Sequence, residues 1–371
     1  MIIKEIELKN YRNYKDQRIS FDKGVNLILG DNAQGKTNLI EAIYISSMGK
    51  SFRTSKDREL IKFDESESLV RVLAESDYSD IEVEIILEKK GNNSVNKNIK
   101  KNKKKLYKTS ELIKSILIVV FSPDDLKIIK EEPEKRRRFL DREICQISPY
   151  YYDNYDRFRS VLKQRNTYLK EDKPVDKLLD IWDVQLARHG AVLMKVRSEY
   201  LDKINDFSKK IHSGITNGKE EIEIVYEPNI SYDKDVDNLE GIIYDKIVEN
   251  RDKDIERRIT TKGPQRDDIG FYVNGIDMRY YGSQGQQRTS ALSLKLAELM
   301  LIKEDTGEDA VLILDDVMSE LDSTRQEYLI KTLTDNQLFI TTADIDKTVL
   351  NRIPNATIYS VKEGNIEKVR L

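Results

Sequence analysis

Sulfur and imidazole are nearly absent from this chain: one cysteine, Cys145, and two histidines, His189 and His212, occur in 371 residues. A lone cysteine excludes an internal disulfide and a cysteine-based zinc site, and two histidines leave little for a His-rich metal centre. Long apolar runs are missing too, since none approaches the ~20 residues that span a bilayer. The opening Met1-Ile2-Ile3-Lys4-Glu5-Ile6 alternates like a charged strand and lacks the apolar stretch of a signal peptide. The expectation is a soluble, cytoplasmic protein with no membrane partner. A strong excess of either charge is also lacking, the net being -3. That argues against a uniformly basic surface, yet residues 89 to 114 hold ten lysines and Arg136-Arg137-Arg138 follow. A near-neutral average can hide a basic face.

What is present is a strand–helix alternation at both ends of the chain. Strands are expected at Ile2 to Leu8, Val25 to Leu29, Leu69 to Leu73, Ile81 to Leu87 and Ile116 to Phe121. A helix from Lys36 to Ser46 buries Leu39, Ile40, Ala42 and Ile43. Residues 91 to 105 read as a polar Asn/Lys hairpin, either solvated or facing nucleic acid. From Glu132-Pro133-Glu134, a helix-start signature, helical patterning runs to about residue 212, with Tyr150-Tyr151-Tyr152, Trp182 and Leu186 as packing residues. A strand at Ile222 to Tyr226 and a helix at Leu239 to Thr260 follow. Strands return at Phe271 to Val273, Val311 to Leu314, Leu338 to Ile340 and Thr357 to Val361.

Three motifs carry chemistry. The strand Val25 to Leu29 runs into Gly30-Asp31-Asn32-Ala33-Gln34-Gly35-Lys36-Thr37, a complete phosphate-binding loop. Its glycines let backbone N–H groups turn inward around phosphates, Lys36 supplies a point charge for the β and γ phosphates, and the Thr37 hydroxyl ligates Mg²⁺. The helix starting there adds its positive end. The second motif, Ile313-Leu314-Asp315-Asp316, ends an apolar strand in two carboxylates. Asp315 is delivered to the Mg²⁺, and Asp316 stands where a base could polarise an attacking water. The third, Ser283-Gln284-Gly285-Gln286-Gln287, opens a long amphipathic helix, and its serine and amides form an anion site or an ordinary cap. Together with Ser319-Glu320-Leu321-Asp322, it resembles the signature and D-loop of ABC-type ATPases. In those proteins the signature closes over the γ-phosphate held by a partner subunit, so that ATP joins a head-to-head dimer.

More chain separates Lys36 from Ser283 than in transporter subunits, and too little for the coiled coils of SMC-type ATPases. With further motifs, the chain resembles the RecF family of DNA replication and repair proteins. Those motifs are Leu8-Lys9-Asn10-Tyr11-Arg12-Asn13-Tyr14, Gly35 to Ile43, Lys50-Ser51-Phe52-Arg53, Phe121-Ser122-Pro123-Asp124-Asp125-Leu126, Arg137-Arg138-Phe139-Leu140-Asp141, Gly263-Pro264-Gln265-Arg266-Asp267-Asp268 and Leu314 to Asp322. The family usually has histidine where Gln265 stands and often glycine where Ala33 stands; neither change removes a phosphate or Mg²⁺ ligand.

The resemblance implies an α/β fold: an ABC/SMC-type ATPase head made of both chain ends, residues 1–125 and 262–371, split by a mainly helical insertion at 126–261. It implies ATP and Mg²⁺, with Gly30 to Thr37, Arg12, Ser283, Gly285 and Gln286 at the nucleotide and Lys36, Asp315 and Asp316 in catalysis. It further implies an ATP-dependent homodimer that binds gapped or single-strand/duplex junction DNA and works with RecR-type and RecO-type mediators to load recombinase. Hydrolysis would be weak and serve as a switch. Arg53, Arg136, Arg137 and Lys100 to Lys105 are candidate phosphate contacts, and Thr341-Thr342 stands where transporters keep a histidine that senses the γ-phosphate. The alternative is an ABC-head nuclease of the OLD type or another SMC-like DNA-processing ATPase; for the nuclease, no chain is left to form the added metal-binding domain. A plain P-loop kinase would leave the Ser283 region unexplained.

Overall fold

The computed structural model describes residues 1–91, 94–171, 176–333, 336–343 and 356–369. Asn92 and Asn93, within the expected hairpin at 91 to 105, lie outside the described residues. Packing divides the chain into two compact units, Met1–Leu126 with Glu298–Leu371, and Lys127–Ala297. The first break falls where the expected insertion begins, but the second unit extends to Ala297 rather than to 261. Residues 268–273 account for this, because they pair with a strand at 222–227 and group with it.

The first unit holds two six-stranded sheets. One is antiparallel, in the order β2-β1-β4-β5-β6-β7, from β1 (Ile2–Tyr11), β2 (Tyr14–Ser20), β4 (Glu67–Glu75), β5 (Asp80–Lys90), β6 (Ser94–Lys101) and β7 (Lys104–Leu106). The Asn/Lys stretch is therefore ladder rather than loose loop. The other, ordered β15-β14-β3-β13-β12-β8, comprises β3 (Val25–Leu29), β8 (Ile118–Phe121), β12 (Val311–Asp315), β13 (Leu338–Thr342), β14 (Thr357–Lys362) and β15 (Asn365–Val369). All its pairings are parallel except the β14–β15 hairpin. Its inner strands are near-continuous apolar runs, as a sheet covered on both faces requires.

Helix α1 (Lys36–Met48) packs on strands of both sheets, which explains its composition. Leu39, Ile40, Ala42, Ile43, Tyr44, Ile45 and Met48 are all buried, so the helix is apolar around its circumference rather than along one stripe. It runs two residues beyond the expected end before Gly49 terminates it in the left-handed region at φ 63°.

The second unit contains α2 (Pro133–Ile147), α3 (Pro149–Tyr168), α4 (Asp176–Thr216), α5 (Leu239–Glu249), α6 (Arg251–Arg257) and the start of α7 (Gln284–Thr306). A three-stranded antiparallel sheet, β11-β10-β9, joins them, from β9 (Ile222–Glu227), β10 (Asp268–Val273) and β11 (Ile276–Asp277). The single helix expected from Leu239 to Thr260 is interrupted at Asn250. Of the tyrosine triplet, Tyr151 and Tyr152 are buried, whereas Tyr150 is exposed. Leu186 is core, and Trp182 packs against Tyr168 in a tilted pair with ring centroids 5.0 Å apart.

Two buried arginines hold this unit's polar interior. Arg197 donates to Asp141 at 2.7 Å, to Asp267 at 2.9 Å and to the Pro264 carbonyl at 2.7 Å. Arg165 donates to Asp183 at 2.6 Å and to Asp254 at 2.8 Å. Helix α8 (Ser323–Thr332) belongs to the first unit. Among the described residues, no helix is long and apolar enough to cross a membrane.

Candidate nucleotide-binding site

The loop Gly30 to Thr37 leaves the carboxyl end of β3 and enters α1, at the edge where parallel α/β sheets place ligands. Its backbone has no room for side chains at two points. A Cβ on Gly30 would meet the Val361 carbonyl at 2.3 Å, and one on Gly35 (φ 122°) would meet Asn13 Nδ2 at 2.6 Å. Ala33 adopts φ 67°. That left-handed conformation costs an L-residue about 1–2 kcal/mol and is one that glycine adopts without strain. Asp31, Asn32 and Ala33 are exposed, Gln34 is half-buried and Lys36 is buried.

The loop is clamped from two sides. Asn13, in the β1–β2 turn, donates to the Gln34 carbonyl at 2.8 Å, and the Tyr14 hydroxyl donates to the Gly35 carbonyl at 2.8 Å. From the β14–β15 turn, the Glu363 amide donates to Gln34 Oε1 at 2.7 Å and the Gly364 amide to the Gln34 carbonyl at 3.1 Å. Lys36 Nζ donates to the carbonyls of Gly30 at 2.7 Å and Asp31 at 3.2 Å. The ammonium is thus folded back over the loop it serves.

Across β13, the end of β12 completes the first-unit site. The Thr37 hydroxyl donates to Asp315 Oδ1 at 3.2 Å, bringing the two expected metal ligands together. Burial pushes the Asp315 carboxyl up from its ordinary range; the Thr341 hydroxyl bond opposes this, and the nearby Asp316 charge adds to it. Thr341 donates to Asp315 Oδ1 at 2.8 Å while its oxygen accepts from the Asp316 amide at 2.9 Å. That hydroxyl is therefore committed to orienting the acidic pair, not free to sense a phosphate. Asp316 sits at φ 53°, a conformation that aspartate tolerates better than most residues and one that clusters at functional positions.

Arg12 does not present an unengaged guanidinium. Nε and Nη2 form a two-pronged pair with Glu41 of α1 at 2.9 and 2.8 Å, and Nη1 donates to the Glu59 carbonyl at 2.8 Å. Glu41 is fully buried and also accepts from Ser51 at 2.5 Å, with Arg53 at 3.5 Å. Arg12, Asn13 and Asn38 line one side of an open cavity of about 1470 Å³ whose other walls include Lys56, Phe63 and Lys89.

Ser283, Gly285 and Gln286 form their own group in the second unit. Ser283 is exposed, and it makes a reciprocal cap at the start of α7. Its Oγ accepts from the Gln286 amide at 3.2 Å, and its amide donates to Gln286 Oε1 at 3.2 Å. In the first unit, Asp322 of the expected D-loop caps α8, accepting from the Arg325 amide at 3.0 Å.

Four of the candidate basic contacts are already engaged, Arg53 among them through Asn38 Oδ1 at 2.8 Å. Arg136 is buried and paired with Asp268, both bonds at 2.7 Å. Lys100 is bound to Glu84 at 2.7 Å. Arg137 is half-buried and donates to the Asp267 carbonyl at 2.7 Å. Lys103, Lys104 and Lys105 are exposed. Neither Glu41, Asn13 nor the β14–β15 turn stands out in the sequence as part of the site, and Thr341 stands out there only as a candidate phosphate sensor. Asn13 and Tyr14 carried a signal, standing inside a quoted motif, whereas nothing local marks Glu363 or Gly364 as neighbours of Gln34.

A parallel sheet with a phosphate loop on one strand, an acidic pair two strands away and an antiparallel sheet across the loop helix defines an ABC/SMC-type P-loop ATPase head. A family model described as the RecF/RecN/SMC N terminal domain matches residues 2–367. Two relatives called DNA replication and repair protein RecF, from Alkaliphilus oremlandii and Clostridium perfringens, are each 44% identical over 99% of this chain and the whole of theirs. The chain belongs to the RecF family. A solved structure described as the recombination mediator protein RecF-ATPrS in the RecFOR pathway superimposes with a TM-score of 0.90 at 40% identity, covering 99% of this chain and 98% of that one. An SMC head bound to the C-winged helix domain of ScpA, 15% identical and covering 100% of this chain and 98% of its own, has a TM-score of 0.56 and shares the fold.

Proposed function

We propose that this chain is an ATP-dependent DNA-binding protein of replication and recombinational repair. ATP assembles a homodimer that grips gapped or single-strand/duplex junction DNA, and slow hydrolysis releases it. RecO- and RecR-type mediators are the expected partners in loading recombinase. The observation that carries the reading is the contact of Thr37 with Asp315, 3.2 Å apart and partly buried at a strand end beside a clamped phosphate loop. Support comes from relatives named for DNA replication and repair, and from a solved relative, 40% identical, described as RecF-ATP in the RecFOR pathway.

Each residue's task follows from its contacts. Lys36 exchanges its two carbonyl contacts for phosphate oxygens, and the N–H groups at the start of α1 face the same charge. Thr37 and Asp315 supply the hard oxygen donors that would hold Mg²⁺, which offsets phosphate charge when bound. Asp316, held by Thr341 through its backbone, is the base candidate for an attacking water. The cavity beside Arg12 and Asn38 is the place for the nucleoside. Ser283 and the first amides of α7 meet the phosphate held by the partner subunit.

Light scattering with ATP, with and without gapped duplex and across a salt series, tests this. Lys36→Ala should remove nucleotide binding. Ser283→Arg should keep it in the monomer yet block ATP-dependent dimerisation. A Ser283→Arg protein that dimerises normally sinks the composite-site reading, and no ATP-dependent change in mass or DNA affinity sinks the switch itself.

A further inference from the structure

The start of α7 depends on an ambiguity in one side chain. The reciprocal cap works only if the Gln286 amide turns its oxygen toward the Ser283 N–H. An amide's two ends are nearly equal in shape, so something must choose between them. Glu220, in the turn between α4 and β9, makes that choice: its Oε1 accepts from Gln286 Nε2 at 2.9 Å, which leaves only the oxygen to face Ser283. Were Gln286 flipped, two amide hydrogens would oppose the Ser283 N–H, and the glutamate would face a carbonyl oxygen.

Glu220 is itself fixed. Its Oε2 lies 3.3 Å from Nε2 of His212, which is fully buried, and its backbone amide donates to Thr216 Oγ1 at 3.4 Å. On its other side, His212 Nδ1 lies 3.1 Å from Ser293 Oγ of α7, and that hydroxyl donates onward to the Thr289 carbonyl at 2.8 Å. Ser293 and Gln286 stand two turns apart on one face of α7. The end of α4 and the turn after it therefore hold α7 at two points, one polar and buried, one beside the exposed serine. Neither Glu220 nor His212 belongs to a motif that drew notice in the sequence.

We infer that Glu220 is a positioning residue for the composite nucleotide site. Acting through Gln286, it keeps Ser283 and the first-turn amides of α7 set to receive the phosphate carried by a second copy of the chain. This rests on the reading that Ser283 completes the partner's site. Loss of the carboxylate removes one charge-assisted bond and frees the amide to turn.

The test uses the full chain in four forms: wild type, Glu220→Ala, Glu220→Gln and Ser283→Arg. Monomer affinity for a fluorescent ATP analogue, ATP-dependent dimerisation and the unfolding midpoint are measured for each. Glu220→Ala should weaken dimerisation about tenfold while leaving monomer nucleotide affinity unchanged. Glu220→Gln should restore dimerisation to within about twofold. Its amide oxygen can take the Gln286 Nε2–H as the carboxylate does.

If Ser283→Arg blocks dimerisation but Glu220→Ala dimerises like wild type, the positioning role is overturned and the composite site stands. If Ser283→Arg dimerises normally, the composite site fails and the positioning role with it. If Glu220→Ala loses dimerisation, monomer binding and midpoint together, and Glu220→Gln rescues none of them, Glu220 merely holds the fold together and the inference is wrong.

Discussion

Thr341 shows how much a single hydroxyl decides. It bridges the Asp315 carboxylate and the Asp316 amide, 2.8 and 2.9 Å away, from a position with no exposed surface. Thr341→Val keeps the shape but leaves a buried acceptor and a backbone N–H short of a partner, at a cost of about 1–3 kcal/mol. Urea unfolding should register that loss. ATP turnover should fall further than ATP affinity, because the pair loses its orientation rather than its charge. Thr341→Ser should behave close to wild type. Arg12 is the contrasting case. Its basic character and nearness to the loop were legible in the chain, but its commitment to Glu41 was not, since that pairing joins a strand end to the middle of a helix. Residues whose task is set by the loop itself, Gly30, Gly35, Lys36 and Thr37, could be read directly. Those whose task is set by the neighbouring strand could not.

Among the elements, the antiparallel sheet carries a row of alternating charge that the sequence scatters over nearly a hundred positions. Glu7 on β1, Arg71 on β4, Glu84 on β5 and Lys100 on β6 are cross-strand neighbours. Arg71 reaches Glu7 at 2.7 Å and Glu84 at 2.6 Å, and Lys100 reaches Glu84 at 2.7 Å. Hydrogen bonds from Lys100 and then Arg71 hold the Glu84 carboxyl below its ordinary range, against the opposing effect of burial. A carboxyl depressed in the folded state stabilises above its unfolded pKa and loses that stabilisation as pH falls through the folded value. Glu84→Gln should therefore cost roughly 1 kcal/mol near neutrality. The gap from wild type should close below about pH 4, where glutamate protonates. Denaturant midpoints across a pH series check this; a gap that persists in acid would show that packing, not charge, holds the row. The same pairing is why a lysine-rich segment read as a free basic patch is partly structural. Lys100 faces inward along the ladder, whereas Lys103 to Lys105 stay exposed at the hairpin and strand edge, where lysine also discourages edge-to-edge pairing. Strand β3 and helix α1 were legible because one is a continuous apolar run and the other follows a motif. The strands β2 and β15 were not, being short, polar and defined by their partners.

At the scale of the whole molecule, the second unit depends on charges that no solvent reaches. Arg197 is the sole cation drawn to both Asp141 and Asp267 by the ion pairs among the described residues. Arg197→Ala would strand two buried carboxylates, and breaking such an arrangement costs about 3–5 kcal/mol. A large drop in the denaturation midpoint is expected, partly restored by adding Asp141→Asn; an unchanged midpoint would mean that water enters the cluster freely. The first unit has a dependence of another kind. Among the described residues, strand β3 lies between β13 and β14, and Gln34 is gripped by Glu363 and Gly364. On a ribosome adding about 5–20 residues per second, the phosphate loop emerges roughly 15–60 s before the strands that flank it. Until they arrive, the loop strand has no sheet and only the Asn13 and Tyr14 side of its clamp. A growing chain therefore finishes the setting of its phosphate loop only after Gly364 has been added, although the loop's own residues were made far earlier.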